Sequence, residues 1–299
     1  MILVKDINKD IFPISFLKFL PETCETCGSP TEVLETFSSL QCSNKNCISK
    51  VGYRLYSLLE DLGITVLTVD ECIEFLRKFD TSNPYSILLY NPEDDGDLFD
   101  GCEEGLSEYV YSMLNKRRGM LLWEYIKLGH FDNLSVSSEK LFRNYDSIIA
   151  FYKDLNEGGI PFIQNLLLDN TDLVDKASIC VDAVLIYETF VSYKEDIEEG
   201  LKGVVILKPD YKFPILFAND VVEYESNVEF LFDINRKLKN KVYLYPVYSL
   251  SEDVSFIYWN SNFDENSIIV KAKEDYPHIK IVNESTIFNS LLQEVSRNG

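Results

Sequence analysis

Residues 24–47 have the sequence CETCGSPTEVLETFSSLQCSNKNC, in which four cysteines follow the spacing C-x2-C-x14-C-x4-C. Gly28 and Pro30 follow the first pair, and Asn44 and Asn46 lie inside the second, so each pair is predicted to lie on a tight loop. Four thiolates from two such loops form the closed tetrahedral sphere of a structural zinc site, with no position open for water. The predicted zinc ligands are Cys24, Cys27, Cys42 and Cys47.

The alternative interpretation is that these four cysteines are unrelated, as the remaining three are. Cys72, Cys102 and Cys180 have no metal-ligand spacing. Cys72 lies in the amphipathic pattern VDECIEFL and is predicted to be a small buried apolar side chain. Because the total of seven is odd and the N-terminus is not a secretory signal, a disulfide framework is not expected.

The composition is that of a globular and acidic protein. Hydrophobic residues make up 46% of the 299 residues, which is too many for a disordered chain. The 28 Lys and Arg against 49 Asp and Glu give a net charge of −21, which opposes nucleic-acid binding unless positive charge is concentrated locally. No apolar run approaches the ~20 residues of a membrane helix. We therefore expect a soluble, cytoplasmic protein with no membrane partner.

Changes in sequence pattern predict a multi-domain α+β protein. Residues 1–19 alternate apolar and polar side chains, which predicts one terminal strand. Residues 20–50 carry the cysteine loops around a predicted β-hairpin at 31–41. Residues 51–198 show helical periodicity interrupted by Gly and Pro, which predicts an all-α array. Residues 199–299 alternate strand-like and helix-like segments, which predicts a small α/β domain with a largely parallel sheet.

Helical spacing is clearest in three groups of residues, in which apolar side chains recur three or four positions apart. The groups are Leu55, Leu58, Leu59 and Leu62; Ile73, Leu76 and Phe79; and Leu141, Tyr145, Ile148 and Ile149. In the last hundred residues, strands are predicted at GVVILK (203–208), KVYLYPVY (241–248), VSFIYW (254–259) and HIKIV (278–282). Helices are predicted at 226–240, 267–276 and 283–295, with Ser226 and Asn283 as N-caps of the first and last.

This order of parts resembles the C-terminal half of bacterial NAD-dependent DNA ligases. In that family an OB-fold is followed by a four-cysteine zinc finger, a helix-hairpin-helix array and a BRCT domain. LPETCETCGSP (20–30) followed by LQCSNKNCISK (40–50) closely matches the zinc finger. ILVKDINKDIFPIS (2–15) is similar to the last OB strand, and KAKEDYPHIKIVNESTIFNSLL (271–292) is similar to the closing helix–strand–helix of the BRCT domain. The resemblance covers essentially the whole chain.

Segments 98–118, 121–155 and 157–167 resemble hairpins of the array, whose glycines let helix N-termini approach DNA phosphates. The chain departs from the family where Glu103 and Ile160 replace hairpin glycines and where the third hairpin has none. The residues predicted to contact DNA, from the hairpins and from nearby cations, are Gly101, Gly105, Lys116, Arg117, Arg118, Lys140, Arg143, Gly158 and Gly159.

Positive charge is sparse along these segments. The densest cluster is Lys116, Arg117 and Arg118, which alternatively complements the dipole of the helix that it ends. Lys45 and Lys50, on and after the second cysteine pair, could join it. So few cations predict weak and salt-sensitive DNA binding by this chain alone.

The sequence contains no K-x-D-G motif, whose lysine becomes adenylated in this family. The resemblance therefore implies an accessory subunit of a split ligase, like those of some tailed bacteriophages. A separate nucleotidyltransferase/OB subunit would use NAD, which this chain would not bind, and together they would seal nicked double-stranded DNA. Residues 1–16 would either donate a strand to the partner's OB-fold or form a local edge strand.

Two other functions stay open on the sequence. A ligase-derived, non-enzymatic scaffold of phage replication or transcription is favoured by the net charge of −21 and by Glu103. A standalone binder of nicked or branched DNA requires a basic face. The continuous domain order and the complete cysteine set favour the ligase subunit.

Overall fold

The fold, given by a computed structural model, combines helices with small sheets. It describes residues 2–3, 21–33, 40–99, 102, 104–128, 138–170, 176–218, 224–238, 241–247, 249–259 and 267–298. The chain divides into an N-terminal unit, Met1–Val205, and a C-terminal unit, Ile206–Gly299.

The N-terminal unit begins with a three-stranded antiparallel sheet in the order β1-β2-β3. Its strands are β1 (Ile2–Leu3), β2 (Thr31–Val33) and β3 (Leu40–Cys42). The pairing of β2 with β3 confirms the hairpin predicted between the two cysteine pairs. Because β1 pairs with β2 of the same chain, these two residues form a local edge strand. The rest of the segment 1–16 lies outside the described residues.

Helices make up most of the described part of this unit. They are α1 (Ile48–Asp61), α2 (Val69–Lys78), α3 (Pro92–Asp95), α4 (Leu106–Arg117), α5 (Leu122–Lys127), α6 (Ser138–Phe142), α7 (Ile148–Asn170), α8 (Lys176–Ser192) and α9 (Lys194–Gly200). Two short 3₁₀ helices span Pro84–Leu89 and Leu201–Gly203. Two-residue strands, β4 (Gly119–Met120) and β5 (Val205–Ile206), pair with each other.

Helices α1 and α2 follow the predicted periodicity and pack closely against each other. The first leucine group forms the buried face of α1 and its C-terminal cap, with members Leu55, Leu58, Leu59 and Leu62. At the crossing with α2, a Cβ atom added to Gly52 would lie 2.4 Å from Ile73 Cγ1. The absence of a side chain at Gly52 is therefore a condition of this helix packing.

The third predicted apolar group does not form one helical face. Leu141 lies in α6 and Ile148 in α7, while Ile149 is 76% exposed. Residues 143–147 form a turn between the two helices, so helical spacing does not continue from one to the other. The prediction of a single face was wrong because a five-residue turn can keep the i, i+4 and i+7 spacing without helical geometry.

An aromatic cluster holds α6, α7 and α8 together. The ring centroids of Phe151 and Phe190 are 4.5 Å apart, and those of Phe142 and Phe151 are 4.9 Å apart. Such contacts add about 0.5–1.5 kcal/mol each beyond burial. Helix α7 breaks at Gly159, where φ is 57° and ψ is −147°, so it consists of two helical segments.

The C-terminal unit contains a four-stranded parallel sheet, as predicted, in the order β7-β6-β8-β9. Its strands are β6 (Tyr211–Phe217), β7 (Val242–Val247), β8 (Phe256–Tyr258) and β9 (Lys280–Val282). Its helices are α10 (Tyr224–Lys237), α11 (Ser267–Asp275) and α12 (Ile287–Asn298).

Side chains from the two faces of β6 enter two separate cores. Phe213 and Ile215 pack in a cluster with residues of α10 and α12. Leu216 packs in a second cluster with Ile269 and Ala272 of α11. Because successive side chains of a strand point to opposite faces, the helices cover both sides of the sheet.

The first strand of the parallel sheet differs from the prediction. Only Val205–Ile206 of the predicted strand 203–208 forms a strand, and it pairs with β4 and not with the parallel sheet. The Val205 N–H donates to the Arg118 carbonyl at 2.6 Å. β6, an interior strand of the parallel sheet, is not predicted from the sequence.

Pro214 lies inside β6, where proline usually argues against a central strand. Its carbonyl accepts the Ser255 N–H at 3.1 Å, so Pro214 faces the β8 side. The β6–β8 pairing begins one residue later, at Ile215 and Phe256. The N–H that proline lacks would therefore point toward β8 before the β6–β8 ladder begins, so its absence leaves the β6–β7 ladder intact.

Candidate functional site

The first cysteine loop closes through backbone hydrogen bonds. The Cys24 N–H donates to the Ser29 carbonyl, and the Gly28 N–H donates to the Cys24 carbonyl, both at 2.8 Å. Gly28 has a φ of 70°, in the left-handed region that glycine adopts without strain. This turn directly follows Cys27 and folds the chain back toward Cys24.

The second cysteine loop connects β3 to α1. Cys42 is the last residue of β3, and Cys47 directly precedes α1. The Asn46 N–H donates to the Asn44 side-chain oxygen at 3.0 Å, and the Cys47 N–H donates to the Asn44 carbonyl at 3.2 Å. The asparagines therefore form the turn that the sequence predicts.

The two loops bring the four cysteine sulfurs into one cluster. All four Sγ atoms lie within 4.8 Å of one another. The Sγ–Sγ distance is 3.8 Å between Cys24 and Cys47 and 3.4 Å between Cys27 and Cys42. Four sulfurs at about 2.3 Å from a central zinc ion would be about 3.8 Å apart in a regular tetrahedron. The cluster therefore has the size that a tetrahedral metal site requires.

The cysteines of the cluster differ in burial and hydrogen bonding, and therefore in the pKa of their thiols. Hydrogen bonds from Ser29 lower the pKa of the exposed Cys27 thiol to about 6. Burial raises the pKa of Cys42 to about 12, although the Asn44 N–H points to its sulfur at 3.4 Å. A buried thiolate is costly without a cation, and a coordinated metal deprotonates its thiol ligands.

The four side chains could therefore bind a metal ion. Four sulfur ligands would complete a tetrahedral sphere, so such an ion would organise the loops and would have no open position for a substrate. Cys72 is buried in α2, as predicted, and Cys102 and Cys180 are exposed.

The predicted hairpin glycines lie in different settings. Gly105 is exposed, has a φ of 82° and directly precedes α4. Gly158 is exposed in α7, and Gly159 is the residue at which α7 breaks. Gly101 and Glu103 lie outside the described residues. Gly105 and Gly159 therefore each directly precede a helical segment.

Arg117 cannot contact DNA in this structure. It is 1% exposed, and its guanidinium donates to the carbonyls of Met113 at 3.3 Å and Gly63 at 3.5 Å. The prediction that Arg117 contacts DNA is therefore wrong, because its side chain belongs to the core. The spacing of Val110, Met113, Leu114 and Arg117 puts them on one helical face, a signal that the sequence analysis missed.

The other predicted cations are more accessible. Lys116 is exposed, whereas Arg118 is half-buried and donates to the Tyr90 carbonyl at 3.1 Å. Lys140 is half-buried in α6, and Arg143 is exposed just after it. Lys116 and Arg143 are therefore the members of the predicted set whose charges are open to solvent.

The ammonium groups of Lys45 and Lys50 donate hydrogen bonds to backbone carbonyls of the same chain. The Lys50 ammonium donates to the Cys42 carbonyl at 2.9 Å. The Lys45 ammonium donates to the Ser192 carbonyl at 3.1 Å, across 147 residues of sequence. No local pattern predicts a contact over such a separation, so the sequence analysis missed it.

Tyr193 completes this contact between the second cysteine loop and the junction of α8 with α9. The Lys45 ammonium lies 5.8 Å and the Arg54 guanidinium 4.0 Å from the centre of its ring. Arg54 also pairs with the Asp196 carboxylate at 3.9 Å. The second cysteine loop and α1 thus hold the helical junction from one side.

Comparison with known proteins gives no family assignment. No protein-family model matches the chain, and no curated protein matches it significantly.

Among the described residues, no helix is long and apolar enough to cross a lipid bilayer.

Proposed function

We propose that this chain is the accessory, DNA-positioning subunit of a split NAD-dependent DNA ligase, and that its cysteine cluster holds structural zinc. The observation that carries the proposal is the position of the cluster in the chain. The four cysteines flank the β2–β3 hairpin, and a helical region follows directly after Cys47, in the order that the ligase resemblance implies.

The remaining elements support the same order of parts. Gly105 opens α4 and Gly159 opens the second segment of α7, at two of the predicted hairpins. The chain closes with α11, β9 and α12, the helix–strand–helix order of the BRCT resemblance. The finer identities of these regions as hairpin array and BRCT-like domain are part of the proposal.

The proposed role is to position DNA and not to carry out the chemistry. A partner subunit with the K-x-D-G lysine would react with NAD and transfer AMP to the 5′-phosphate of the nick. This chain would hold the duplex so that the 3′-hydroxyl meets that phosphate, which lowers the entropic cost of the step. Lys116, Arg143 and the two helix starts are the groups proposed to contact the DNA backbone.

A non-enzymatic scaffold is the second candidate function. The burial of Arg117 and the net charge of −21 favour it, because both reduce the positive charge that DNA can reach. A scaffold would keep the folded cysteine cluster without needing a partner ligase subunit.

The test is NAD-dependent sealing of a labelled nicked duplex. The arms are this chain, a candidate nucleotidyltransferase subunit with a truncated OB-fold, and their mixture. We expect sealing in the mixture alone. Controls omit NAD or replace the K-x-D-G lysine of the partner by alanine, and either change should abolish sealing.

Two outcomes would reject the ligase role. If the mixture seals no better than the candidate partner alone, this chain positions nothing for that enzyme. If the chain also fails to shift nicked duplex at low salt, the scaffold interpretation replaces it. Metal content measured on the purified chain tests zinc separately, with one zinc per chain expected and loss on changing Cys42 to alanine.

A further inference from the structure

Helix α8 has an apolar face that the described fold does not cover. Val181 is 67%, Val184 38%, Leu185 47% and Val191 54% exposed. Val184 and Leu185 lie three and four residues after Val181, and Val191 lies seven residues after Val184, so the four side chains share one stripe of the helix. The opposite stripe is buried in the unit and consists of Ile179, Ala183, Ile186 and Phe190. Helix α8 is therefore apolar on both sides.

The inner stripe already anchors α8 in the fold. Phe190 packs on Phe151 of α7, with the two ring centroids 4.5 Å apart. The outer stripe adds nothing to this packing, and each Å² of apolar surface left in water forgoes about 25 cal/mol. Contiguous exposed apolar patches of this kind mark interaction sites.

The outer stripe lines a shallow groove. The described residues that line it are Cys180, Val181, Val184, Leu185 and Glu188. Glu188 therefore places one carboxylate beside three apolar side chains. A complementary surface would carry apolar side chains at helical spacing and one Lys or Arg opposite Glu188.

A second copy of this chain fits the groove poorly. Two parallel α8 helices would place Glu188 against its own copy, and antiparallel helices centred between Val184 and Leu185 would place it against Val181. Two chains of net charge −21 also repel each other. The charges thus favour a different protein that is basic.

The proposed ligase function supplies such a protein. This chain is acidic and Arg117 is buried, so most of the cations that grip DNA must come from the other subunit. That subunit is therefore expected to be positively charged, which complements both Glu188 and the overall charge of this chain.

We propose that the outer stripe of α8 is the docking surface for an amphipathic helix of the basic nucleotidyltransferase subunit, with a Lys or Arg of that helix opposite Glu188. The inference rests on the proposed function and adds the surface through which the two chains associate.

The test measures the affinity of the full chain for the candidate nucleotidyltransferase/OB subunit by calorimetry. Leu185→Glu should weaken binding at least ~10-fold, because it places a second carboxylate in an apolar contact. Glu188→Lys should weaken it as well and should reduce its salt sensitivity. The matched control is Ile149→Glu, which adds the same charge at an exposed isoleucine of α7 and should leave affinity unchanged.

Circular dichroism and thermal unfolding establish that each variant folds. Glu188→Lys changes an already charged, exposed position, so it carries the test if Leu185→Glu does not fold. Concentration-dependent light scattering of the chain alone tests the rival occupant, a second copy. We expect a monomer.

Each contrary result overturns the inference in a distinguishable way. Equal binding by wild type and both α8 variants would remove α8 from the interface while the proposed function stands. Absence of wild-type binding would reject the proposed function together with this surface. Self-association that Leu185→Glu abolishes would show that a second copy covers the stripe.

Discussion

Arg117 differs sharply in side-chain burial from the two residues beside it in the sequence. It stands between Lys116, which is exposed, and Arg118, which is half-buried, yet its own side chain is in the core. Its aliphatic stem shares a helical face with Val110 and Met113, and its head reaches backbone carbonyls. Three consecutive basic residues therefore do not form one basic surface.

This arrangement predicts that adjacent substitutions have different effects. Arg117→Ala should lower the free energy of unfolding by about 2–4 kcal/mol, because it removes a buried side chain and its hydrogen bonds. Arg117→Met, which keeps an apolar stem, should lose less. Urea unfolding measures both, and a loss under 1 kcal/mol for the alanine variant would contradict a core role.

Lys116→Ala should leave stability within about 0.5 kcal/mol of wild type, because the side chain is exposed. If Lys116 contacts a phosphate, the same change should reduce the salt dependence of DNA binding by about one unit in the log–log slope. Band-shift titrations at several salt concentrations measure this slope. An unchanged slope would remove Lys116 from the DNA contacts.

Asp80 adopts a φ of 52° at the end of α2, in the left-handed region that favours glycine. Its N–H donates to the Arg77 carbonyl at 3.2 Å, which closes the helix. Asp80→Gly should therefore stabilise the protein by about 0.5–1 kcal/mol in thermal or urea unfolding, because the backbone strain is relieved. Asp80→Ala, which keeps a Cβ, should bring no gain, and a gain of equal size would rule out this explanation.

At the scale of elements, the contact between α1 and α2 determines how a substitution at Gly52 changes stability. Alanine is the better helix former by about 1 kcal/mol. At Gly52, however, its Cβ would lie 2.4 Å from Ile73 Cγ1, so Gly52→Ala should destabilise the protein by about 1–3 kcal/mol. Ile73→Ala in the same chain should recover part of the loss, and purely additive effects in a double-mutant cycle would argue against the clash.

The second cysteine loop should transmit metal binding to the α8–α9 junction. Its Lys45 holds the Ser192 carbonyl, and the loop is shaped by two of the four clustered cysteines. If the cluster holds the proposed zinc, removing that metal with a chelator should speed amide hydrogen exchange at 192–197 by about tenfold or more. Exchange in β7, which belongs to the other unit, should not change.

A variant separates this coupling from metal binding itself. Lys45→Met should accelerate exchange at 192–197 while one metal ion stays bound, and Lys116→Met should not. Slow exchange at the junction after complete metal removal would show that the loop does not hold it.

Local patterns predicted the elements that depend on local chemistry. The cysteine loops, the hairpin between them and the buried leucines of α1 follow from spacing alone. β6 was not predicted, because a proline such as Pro214 argues against an interior strand. The sheet accommodates Pro214 because the β6–β8 ladder begins one residue later. The contact of Lys45 with Ser192 could not be predicted, because only the folded chain brings these residues together.

At the scale of the whole molecule, the net charge of −21 opposes compaction. Raising sodium chloride from about 10 to about 300 mM shortens the Debye length from about 30 to about 6 Å and screens this repulsion. The melting temperature should rise, by about 2–4 °C for each kcal/mol gained. Scanning calorimetry at constant pH measures it, and a flat or falling melting temperature would show that self-repulsion is negligible.

The central position of β6 has a consequence during synthesis of the chain. β6 is the first strand of its sheet to leave the ribosome, yet both of its neighbours, β7 and β8, lie further along the chain. Until they emerge, YKFPILF exposes apolar side chains and an unpaired backbone, a composition that favours pairing with other chains. Pro214 weakens the segment as a template for such pairing. A nascent chain that pauses before Val242 should therefore aggregate more readily than one whose β7 and β8 have been made.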